Sequence, residues 1–146
     1  MGKVVKIGIS KTKGSEICSL DKIDVLKGKG LLNDRKLKNN NKKDKQITLI
    51  EIENINFYNS KFKNNIEPLN FRRNIVTKDI NLNNLVGKEF LVGNIKLKAH
   101  DLCRPCQYLQ EKLKINDFVK EFLLKGGIRC EIMTNGTIKL GDRIEL

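Results

Sequence analysis

The residues of this chain best suited to chemistry are two cysteines that flank an arginine and a proline, Cys103-Arg104-Pro105-Cys106. This CxxC spacing serves a redox dithiol, half of a zinc site, or a nucleophilic thiol with a helping neighbour. A zinc site needs about four ligands, and the two that could complete it, His100 and Cys130, lie in no second metal-binding motif. A thioredoxin-like dithiol opens a long helix in an α/β fold, whereas the helix predicted after Cys106 is short.

The nucleophilic thiol therefore fits best. The Arg104 guanidinium and the N-terminus of a following helix both favour the thiolate over the thiol, and Pro105 stiffens the corner. A thiolate there can ligate a soft metal or accept a sulfur atom. We predict that Cys106 is the more reactive thiol and Cys103 the second catalytic candidate. The competing interpretation is that both are small buried hydrophobic residues, the commonest fate of a cysteine.

The other titratable candidates carry weaker signals. Cys18 and Cys130 alternate with apolar neighbours within predicted strands, which indicates core packing for both. His100 is the only histidine and ends a predicted strand, where it is either a proton partner or a surface side chain.

Five arginines at the ends of predicted elements form a second constellation: Arg35, Arg72, Arg73, Arg104 and Arg129. Arginine grips phosphate through two parallel hydrogen bonds, so their convergence would create an anion site. Scattered surface cations are the alternative, and Asp34 is a ready partner for Arg35. Gly126-Gly127 either brings backbone N–H groups to a ligand or only ends a helix.

Composition narrows the class of ligand. The 146 residues include 29 basic and 17 acidic ones, a net charge of +12, which is compatible with nucleic acid. Single-strand binders stack bases on aromatic rings, and this chain has two Tyr, six Phe and no Trp. We therefore favour a small anionic ligand over nucleic acid.

No apolar run approaches the roughly 20 residues of a membrane span. Polar and apolar residues alternate from the first residues of the chain, Met1–Gly8, which disfavours a secretory signal with a long apolar core. The cytoplasm, with free thiols, is the default expectation.

Short strands separated by glycine turns dominate the pattern. Strands are predicted over Lys3–Ser10, Ser19–Leu26, Gln46–Glu51, Phe71–Thr77, two halves of Gly87–His100, Ile128–Thr134, Thr137–Leu140 and Gly141–Leu146, and helices over Glu51–Phe62, Tyr108–Leu113 and Asp117–Leu124. Asn135-Gly136 predicts a tight hairpin, and Asn39–Lys45 a mobile, solvated loop. The expected fold is mainly β, a barrel or curled mixed sheet with a few short helices, in one domain over residues 1–146.

Several of these segments, in their order, resemble the MOSC domain family, named after the C-terminal domain of molybdenum cofactor sulfurase. They are GLLNDR (Gly30–Arg35), QITLIE (Gln46–Glu51), FRRNIVT (Phe71–Thr77), LVGKEFLVG (Leu85–Gly93), CRPC (Cys103–Cys106) and GGIRCEIMTNGTIKLGDRI (Gly126–Ile144). The resemblance covers nearly the whole chain. It implies a stand-alone MOSC protein with a β-barrel-like fold.

The resemblance also implies roles for particular residues. The family's reactive cysteine, matched by Cys106, binds or delivers sulfur or coordinates molybdenum, and Arg72 and Asn74 would contact the anionic pterin of the molybdenum cofactor, molybdopterin. Arg35, Arg104 and Arg129 complete the predicted cofactor-binding set, and Cys103 joins Cys106 as a catalytic candidate. In the family's usual loop a glycine precedes the Asp and a histidine often follows. Here Asn33 and Lys36 occupy those positions.

These expectations define the candidate functions. The first is cofactor handling or sulfur transfer on a reactive cysteine, with a sulfur-donor desulfurase and a molybdoenzyme acceptor as partners. The second is a cofactor-binding or chaperone module without chemistry, and the third is a basic nucleic-acid binder. Pyridoxal phosphate binding is associated with the family only. The longer N-terminal barrel of the molybdenum-dependent reductases is missing from this stretch, which disfavours a complete oxidoreductase.

Overall fold

A computed structural model describes residues 2–61, 63–103 and 125–146. The helices predicted over Tyr108–Leu113 and Asp117–Leu124 lie outside the described residues, as do Arg104 and Cys106. The described elements, in chain order, are β1 (Gly2–Ile9), β2 (Cys18–Leu20), β3 (Lys22–Leu26), β4 (Gly30–Leu31), β5 (Ile47–Glu51), α1 (Ile52–Lys61), a 3-10 turn (Pro68–Phe71), β6 (Ile75–Lys78), a second 3-10 turn (Leu82–Leu85), β7 (Glu89–Val92), β8 (Ile95–Leu102), β9 (Ile128–Ile132), β10 (Gly136–Lys139) and β11 (Arg143–Glu145).

Seven of these strands close into a barrel. Their order around the ring is β1-β11-β7-β8-β9-β5-β6, and β6 pairs again with β1. Every pairing is antiparallel except that of β5 with β6, which is parallel and is connected through α1. Strand β2 extends the sheet from β1, and β10, β3 and β4 form a small second sheet. The predicted mainly β, barrel-like fold is confirmed.

Alternating apolar residues fill the barrel. In β9 the side chains of Ile128, Cys130 and Ile132 are all 0% exposed, so the predicted core position of Cys130 is confirmed. Cys18 is half-buried on β2 and packs against the edge of this core. A smaller apolar cluster lies under α1, where Tyr58 meets Phe71 edge to face at 5.8 Å between ring centroids. No helix within the described ranges is long and apolar enough to cross a membrane.

The predicted hairpin at Asn135-Gly136 is wrong. Strand β9 pairs with β5 and β8, whereas β10 pairs with β3 of the small sheet. The Asn135 side chain accepts a hydrogen bond from the Lys27 backbone N–H at 2.6 Å, so it ties the crossing to the end of β3. Gly136 has a φ of 157°, and a Cβ there would press on the Ile95 side chain. These residues therefore carry the chain from one sheet to the other.

Two further predicted strands differ from the structure. The segment Ser19–Leu26 falls within two strands, β2 and β3, that are separated at Asp21. In Phe71–Thr77 the strand begins only at Ile75, because Phe71 ends a 3-10 turn and Arg72 adopts a left-handed φ of 64°. The strands predicted at Lys3–Ser10, Gln46–Glu51 and Gly87–His100, and the helix in Glu51–Phe62, are confirmed within a few residues.

Candidate anion-binding site

A cavity of about 490 Å³ opens between the loop that precedes β5 and the strands β5 and β9. Its walls are formed by Arg35, Lys36, Leu37, Lys38, Asn41, Asp44, Lys45, Ile47, Thr48, Asn74 and Arg129. Five of these side chains are cationic and one, Asp44, is a carboxylate. Such an excess of one charge in a concave surface concentrates ions of the opposite sign, so the cavity is suited to an anion.

Arg129 is the cation most firmly built into this cavity. It belongs to β9, where it lies opposite Thr48 of β5 and Asp101 of β8. Its Nη1 is 3.5 Å from Oδ2 of Asp44. Its Nε is buried and has no hydrogen-bond partner among the described residues. A buried donor without an acceptor is costly, and an anionic ligand oxygen would satisfy it.

The loop between β4 and β5 presents two more cations. Asp34 is 9% exposed, and its carboxylate accepts hydrogen bonds from the backbone N–H groups of Ser10 at 2.9 Å and of Lys36 at 3.2 Å. The Arg35 backbone N–H donates to the Ser10 carbonyl at 2.8 Å. Asp34 thus fixes the loop to the end of β1, and Arg35 and Lys36 reach the cavity.

Lys36 is electrostatically strained in this position. Desolvation lowers the pKa of its ammonium, and the nearby Arg35 and Arg73 guanidinium groups lower it further, whereas Asp34 and Cys103 act in the opposite direction. A bound anion offsets the repulsion between neighbouring cations and so stabilises their charged forms. Lys36 is therefore prepared to bind one.

Cys103 lies next to these cations, but its burial favours the thiol over the thiolate. Its side chain is 3% exposed, and its backbone N–H donates to the Gly127 carbonyl at 2.7 Å. Burial raises the pKa of the thiol, although Arg73, Arg129 and Lys36 act to lower it. Desolvation therefore outweighs the cations. The cations thus act on Cys103 in the expected direction but are outweighed by burial, and the expected effect of Arg104 and of the following helix lies outside the described residues.

Glycines at the start of β9 hold this wall in place. The Gly126 carbonyl accepts a hydrogen bond from Arg73 Nε at 2.9 Å, and the Gly127 carbonyl binds Cys103. Gly127 has a φ of 95°, and a Cβ there would overlap the Leu49 carbonyl oxygen. The glycine pair acts here as a close-packed corner that positions Arg73 and Cys103 through its carbonyl groups.

The comparisons with known proteins agree with this architecture. The family model of the MOSC domain matches residues 34–145, most of the chain. The chain belongs to the MOSC domain family. This family is associated with molybdenum-cofactor-related function, which is consistent with a cavity suited to an anion.

Solved structures share the whole fold of this MOSC domain. YuaD from Bacillus subtilis is 21% identical, with a TM-score of 0.79 over 99% of this chain and 95% of that one. YiiM from Geobacillus stearothermophilus is 16% identical, with a TM-score of 0.79 over 100% and 75%, and YiiM from Escherichia coli is 17% identical, with a TM-score of 0.74 over 99% and 69%. No curated protein sequence matches the chain. At these identities the likeness shows the fold alone.

The structure brings together part of the predicted site of this MOSC domain. Arg35, Asn74 and Arg129 line the cavity, and Cys103 lies beside Arg129. Arg72 is not among the described lining residues. Its Nη1 donates to the Ser15 carbonyl at 3.1 Å, and its Nη2 is 3.4 Å from Ser10 Oγ. Cys106 and Arg104 lie outside the described residues, so their roles remain predictions, as does cofactor contact by Arg72.

Asn74 lines the cavity, but its side chain is already engaged. Oδ1 accepts hydrogen bonds from the backbone N–H of Thr48 at 3.0 Å and from Thr48 Oγ1 at 3.1 Å, and Nδ2 donates to the Gly8 carbonyl at 3.2 Å. The amide thus joins β1, β5 and the start of β6. The predicted contact of Asn74 with the pterin would have to share these groups.

Sequence reasoning did not assign Lys36 or Asp44 to the site, and it named Arg73 only among the arginines that could converge on an anion. Lys36 was visible as a departure from the family's histidine, and Arg73 as part of FRRN. Asp44 gave no signal, because it meets Arg129 across 85 positions of sequence. The family-like loop tolerates Asn33 because Asn adopts the left-handed φ of 69° found there more readily than most residues.

His100 and Cys130, the two residues that could have completed a zinc site, are not among the lining residues of this cavity. His100 Nε2 is 2.8 Å from Glu131 Oε1, and both side chains are partly buried on the neighbouring strands β8 and β9. Within residues 2–61, 63–103 and 125–146, no group of three or more His, Cys, Asp or Glu side chains could hold a metal ion.

The buried thiols are expected to resist alkylation. Burial raises the pKa of Cys103 and raises that of Cys130 well above the ordinary value of 9.0, and only the thiolate is nucleophilic. At pH 7.5 iodoacetamide should modify both at least about tenfold more slowly in the folded protein than in 6 M urea, as measured by peptide mass spectrometry.

The same shifts give the stability a pH dependence. The folded state keeps these protons to higher pH than the unfolded chain, so the thiol contribution to the free energy of unfolding falls as pH rises above about 9.

The half-exposed Cys18 is the internal comparison for the alkylation rates of Cys103 and Cys130. Modification of Cys103 at the rate of Cys18 would contradict the burial argument.

Proposed function

We propose that this MOSC protein binds the anionic pterin of the molybdenum cofactor in the cavity beside Arg129 and carries sulfur on Cys106. The observation that supports the binding site most directly is the buried Arg129 Nε without a partner among the described residues, in a cavity with five cationic side chains and one carboxylate. The donor set fits an oxyanion, because guanidinium and ammonium groups are the side chains that hold phosphate-like groups.

The residues at and near the cavity have distinct tasks in this proposal. Arg129 and Lys36 bind the anionic group, and Arg35 at the rim attracts it. Cys103 is buried beside these cations, and its raised pKa makes it a poorer nucleophile than an exposed thiol. When bound, the cofactor would supply a molybdenum centre with sulfur ligands.

The sulfur step would use the predicted thiolate of Cys106. That thiolate attacks the terminal sulfur of a persulfide on a donor desulfurase, a new S–S bond forms on Cys106, and the donor's cysteine leaves as a thiolate. No net oxidation occurs in this exchange, because one persulfide is consumed and one is made. A molybdoenzyme would be the acceptor.

Cofactor loading tests the binding site. Purified protein is incubated with molybdenum cofactor released from a molybdoenzyme, and retained pterin and molybdenum are quantified by fluorescence and elemental analysis. Arg129→Gln should retain at least about tenfold less pterin than the wild type, because it removes a charged donor at the anion. Arg143→Gln, which removes the same charge from exposed β11, is the matched control and should load normally.

The outcomes separate the candidate functions. Equal loading by Arg129→Gln and wild type would reject this cavity as the cofactor site. Persulfide loading, read as the mass of one added sulfur, should be lost in Cys106→Ala. Normal pterin loading of the wild type and of Cys106→Ala, with no persulfide on either of these two proteins, would favour a binding module without chemistry. Steeply salt-dependent DNA or RNA affinity would favour a nucleic-acid binder.

A further inference from the structure

We infer that Lys36 is a nucleophilic amine that forms an imine with small α-keto acids, whose carboxylate is held at Arg129. The observation behind it is that one open cavity holds this lysine and a buried guanidinium Nε without a partner among the described residues. The chemistry goes beyond cofactor binding and sulfur transfer, and it needs neither the pterin nor Cys106. In the proposed cofactor site Lys36 contributes its ammonium charge, whereas imine formation uses its neutral amine.

The backbone of Lys36 is anchored on both sides. Its N–H donates to Asp34 Oδ2 at 3.2 Å, and its carbonyl accepts from Asn41 Nδ2 at 2.9 Å. Asp34 is 9% exposed and also accepts from the Ser10 backbone N–H. The Lys36 side chain therefore extends into the cavity from a fixed part of the loop. A nucleophile that is already positioned loses less conformational freedom when it reacts.

The charges of Lys36 and Arg129 lie close to the same sulfur atom. Both act on the pKa of the Cys103 thiol, so the two side chains approach one side of the cavity. Asp44 engages Nη1 of Arg129, which leaves the buried Nε for a ligand oxygen. A carboxylate is a suited acceptor for a guanidinium group. In an α-keto acid the carbonyl carbon adjoins the carboxylate, so an anion held at Arg129 brings the electrophile toward Lys36.

The surroundings of Lys36 activate its amine. Desolvation and the guanidinium groups of Arg35 and Arg73 outweigh Asp34 and lower the pKa of Lys36, so more of the amine is neutral at a given pH. Within the described part of the chain, Lys36 forms no ion pair with a carboxylate. A desolvated lysine beside other cations is the arrangement that favours Schiff-base formation.

The imine forms without any further reactant. The neutral amine of Lys36 attacks the carbonyl carbon, a C–N bond forms, and one amine proton passes to the former carbonyl oxygen. The C–O bond of this carbinolamine then breaks, and the oxygen leaves as water with the second amine proton. No electrons are gained or lost, and water reverses the reaction.

Reductive trapping on the full chain tests the inference. The protein is treated at pH 7 with glyoxylate, the smallest α-keto acid, and with cyanoborohydride, which reduces an imine to a stable amine. Peptide mass spectrometry then locates the label. Lys36 should be modified at least about tenfold faster than Lys38, which lines the same cavity, because its lowered pKa and its anchored position both favour reaction. Lys36→Arg keeps the charge and should carry no label at this position.

Two further arms test the class of substrate. Glycolaldehyde, an uncharged aldehyde of similar size, should label Lys36 and Lys38 more evenly than glyoxylate does. Arg129→Gln should lower the glyoxylate preference for Lys36 toward that of glycolaldehyde, whereas Arg143→Gln on exposed β11 should leave it unchanged.

Equal labelling of Lys36 and Lys38 by glyoxylate would overturn the inference. An undiminished preference in Arg129→Gln, or the same preference with glycolaldehyde, would overturn the assignment to α-keto acids. Pterin loading of the wild type is a separate measurement, so a failure of imine formation is distinguishable from a failure of the cofactor site.

Discussion

Replacement of Gly127 by alanine is expected to destabilise the protein by about 4 kcal/mol or more, a large part of the roughly 5–15 kcal/mol that holds a domain together. Two penalties combine at this residue. Its φ of 95° is a conformation that alanine adopts only with strain, and the new Cβ would overlap the Leu49 carbonyl oxygen. The backbone of β9 would have to move away from β5 at the first pair of their ladder, Leu49 with Ile128. Urea unfolding measures the loss.

Gly141→Ala is the matched control for this prediction. Gly141 has a similar φ of 86°, but nothing lies within 4 Å of the position of its Cβ. Its replacement should cost only the backbone strain, about 1–2 kcal/mol. Equal losses at the two positions would show that β5 and β9 can separate without penalty. The Gly127 variant should also lose anion affinity, because a shift of β9 away from β5 would move Arg129, which lies opposite Thr48 in the same ladder.

Asn74→Ala is expected to cost about 2–4 kcal/mol, because it leaves partly buried backbone groups of two strands without these partners. The Thr48 backbone N–H loses its acceptor and the Gly8 carbonyl loses one donor, so the junction of β1, β5 and β6 loosens. The free energy of unfolding from urea titration is the measurement. Asn94→Ala, at an exposed turn between β7 and β8, should change it by less than about 0.5 kcal/mol.

A double-mutant cycle sharpens the Asn74 prediction. Thr48 Oγ1 both donates to Asn74 Oδ1 and accepts from the Asn74 backbone N–H, at 3.1 and 3.0 Å. Thr48→Ala combined with Asn74→Ala should therefore cost clearly less than the sum of the single losses. Strict additivity would mean that the two side chains act independently. Because Asn74 stabilises the strands, its effect on cofactor loading must be judged at a temperature where the variant is fully folded.

The strands were accessible to sequence reasoning because each depends on a local alternation of apolar residues. Lys3–Ser10 and the pair around Gly93-Asn94 show this alternation, and both agree with the structure. The hairpin predicted at Asn135-Gly136 was wrong because turn preferences are local as well, and they do not show which strand will pair with the one that follows the turn. Here β3 supplies the partner of β10, and the Asn135 side chain is used to bind β3 rather than to close a hairpin.

The candidate site was less accessible, because it depends on side-chain directions and on distant pairs. The alternation rule could not assign Arg72 and Arg73 to different faces, since strand β6 begins only at Ile75. The left-handed backbone at Arg72 directs its side chain to the Ser10–Ser15 loop. The cations could be listed from the sequence, but their convergence on one cavity could not. The pKa of Cys103 depended on a competition between burial and charge, and the sequence showed only the charge.

The seam of the barrel has a consequence for how the chain acquires its structure. Among the described residues, strand β1 meets β11 through two residue pairs, Gly2 with Ile144 and Lys3 with Arg143. The ring therefore cannot be completed during synthesis until β11 has left the ribosome, and its two most distant segments must find each other last. Proteins dominated by such remote pairings fold in milliseconds to seconds rather than microseconds. Until that moment the nascent chain exposes the unpaired edge of β7 and the unpaired edge at the start of β1, at Gly2 and Lys3, which chaperones can protect.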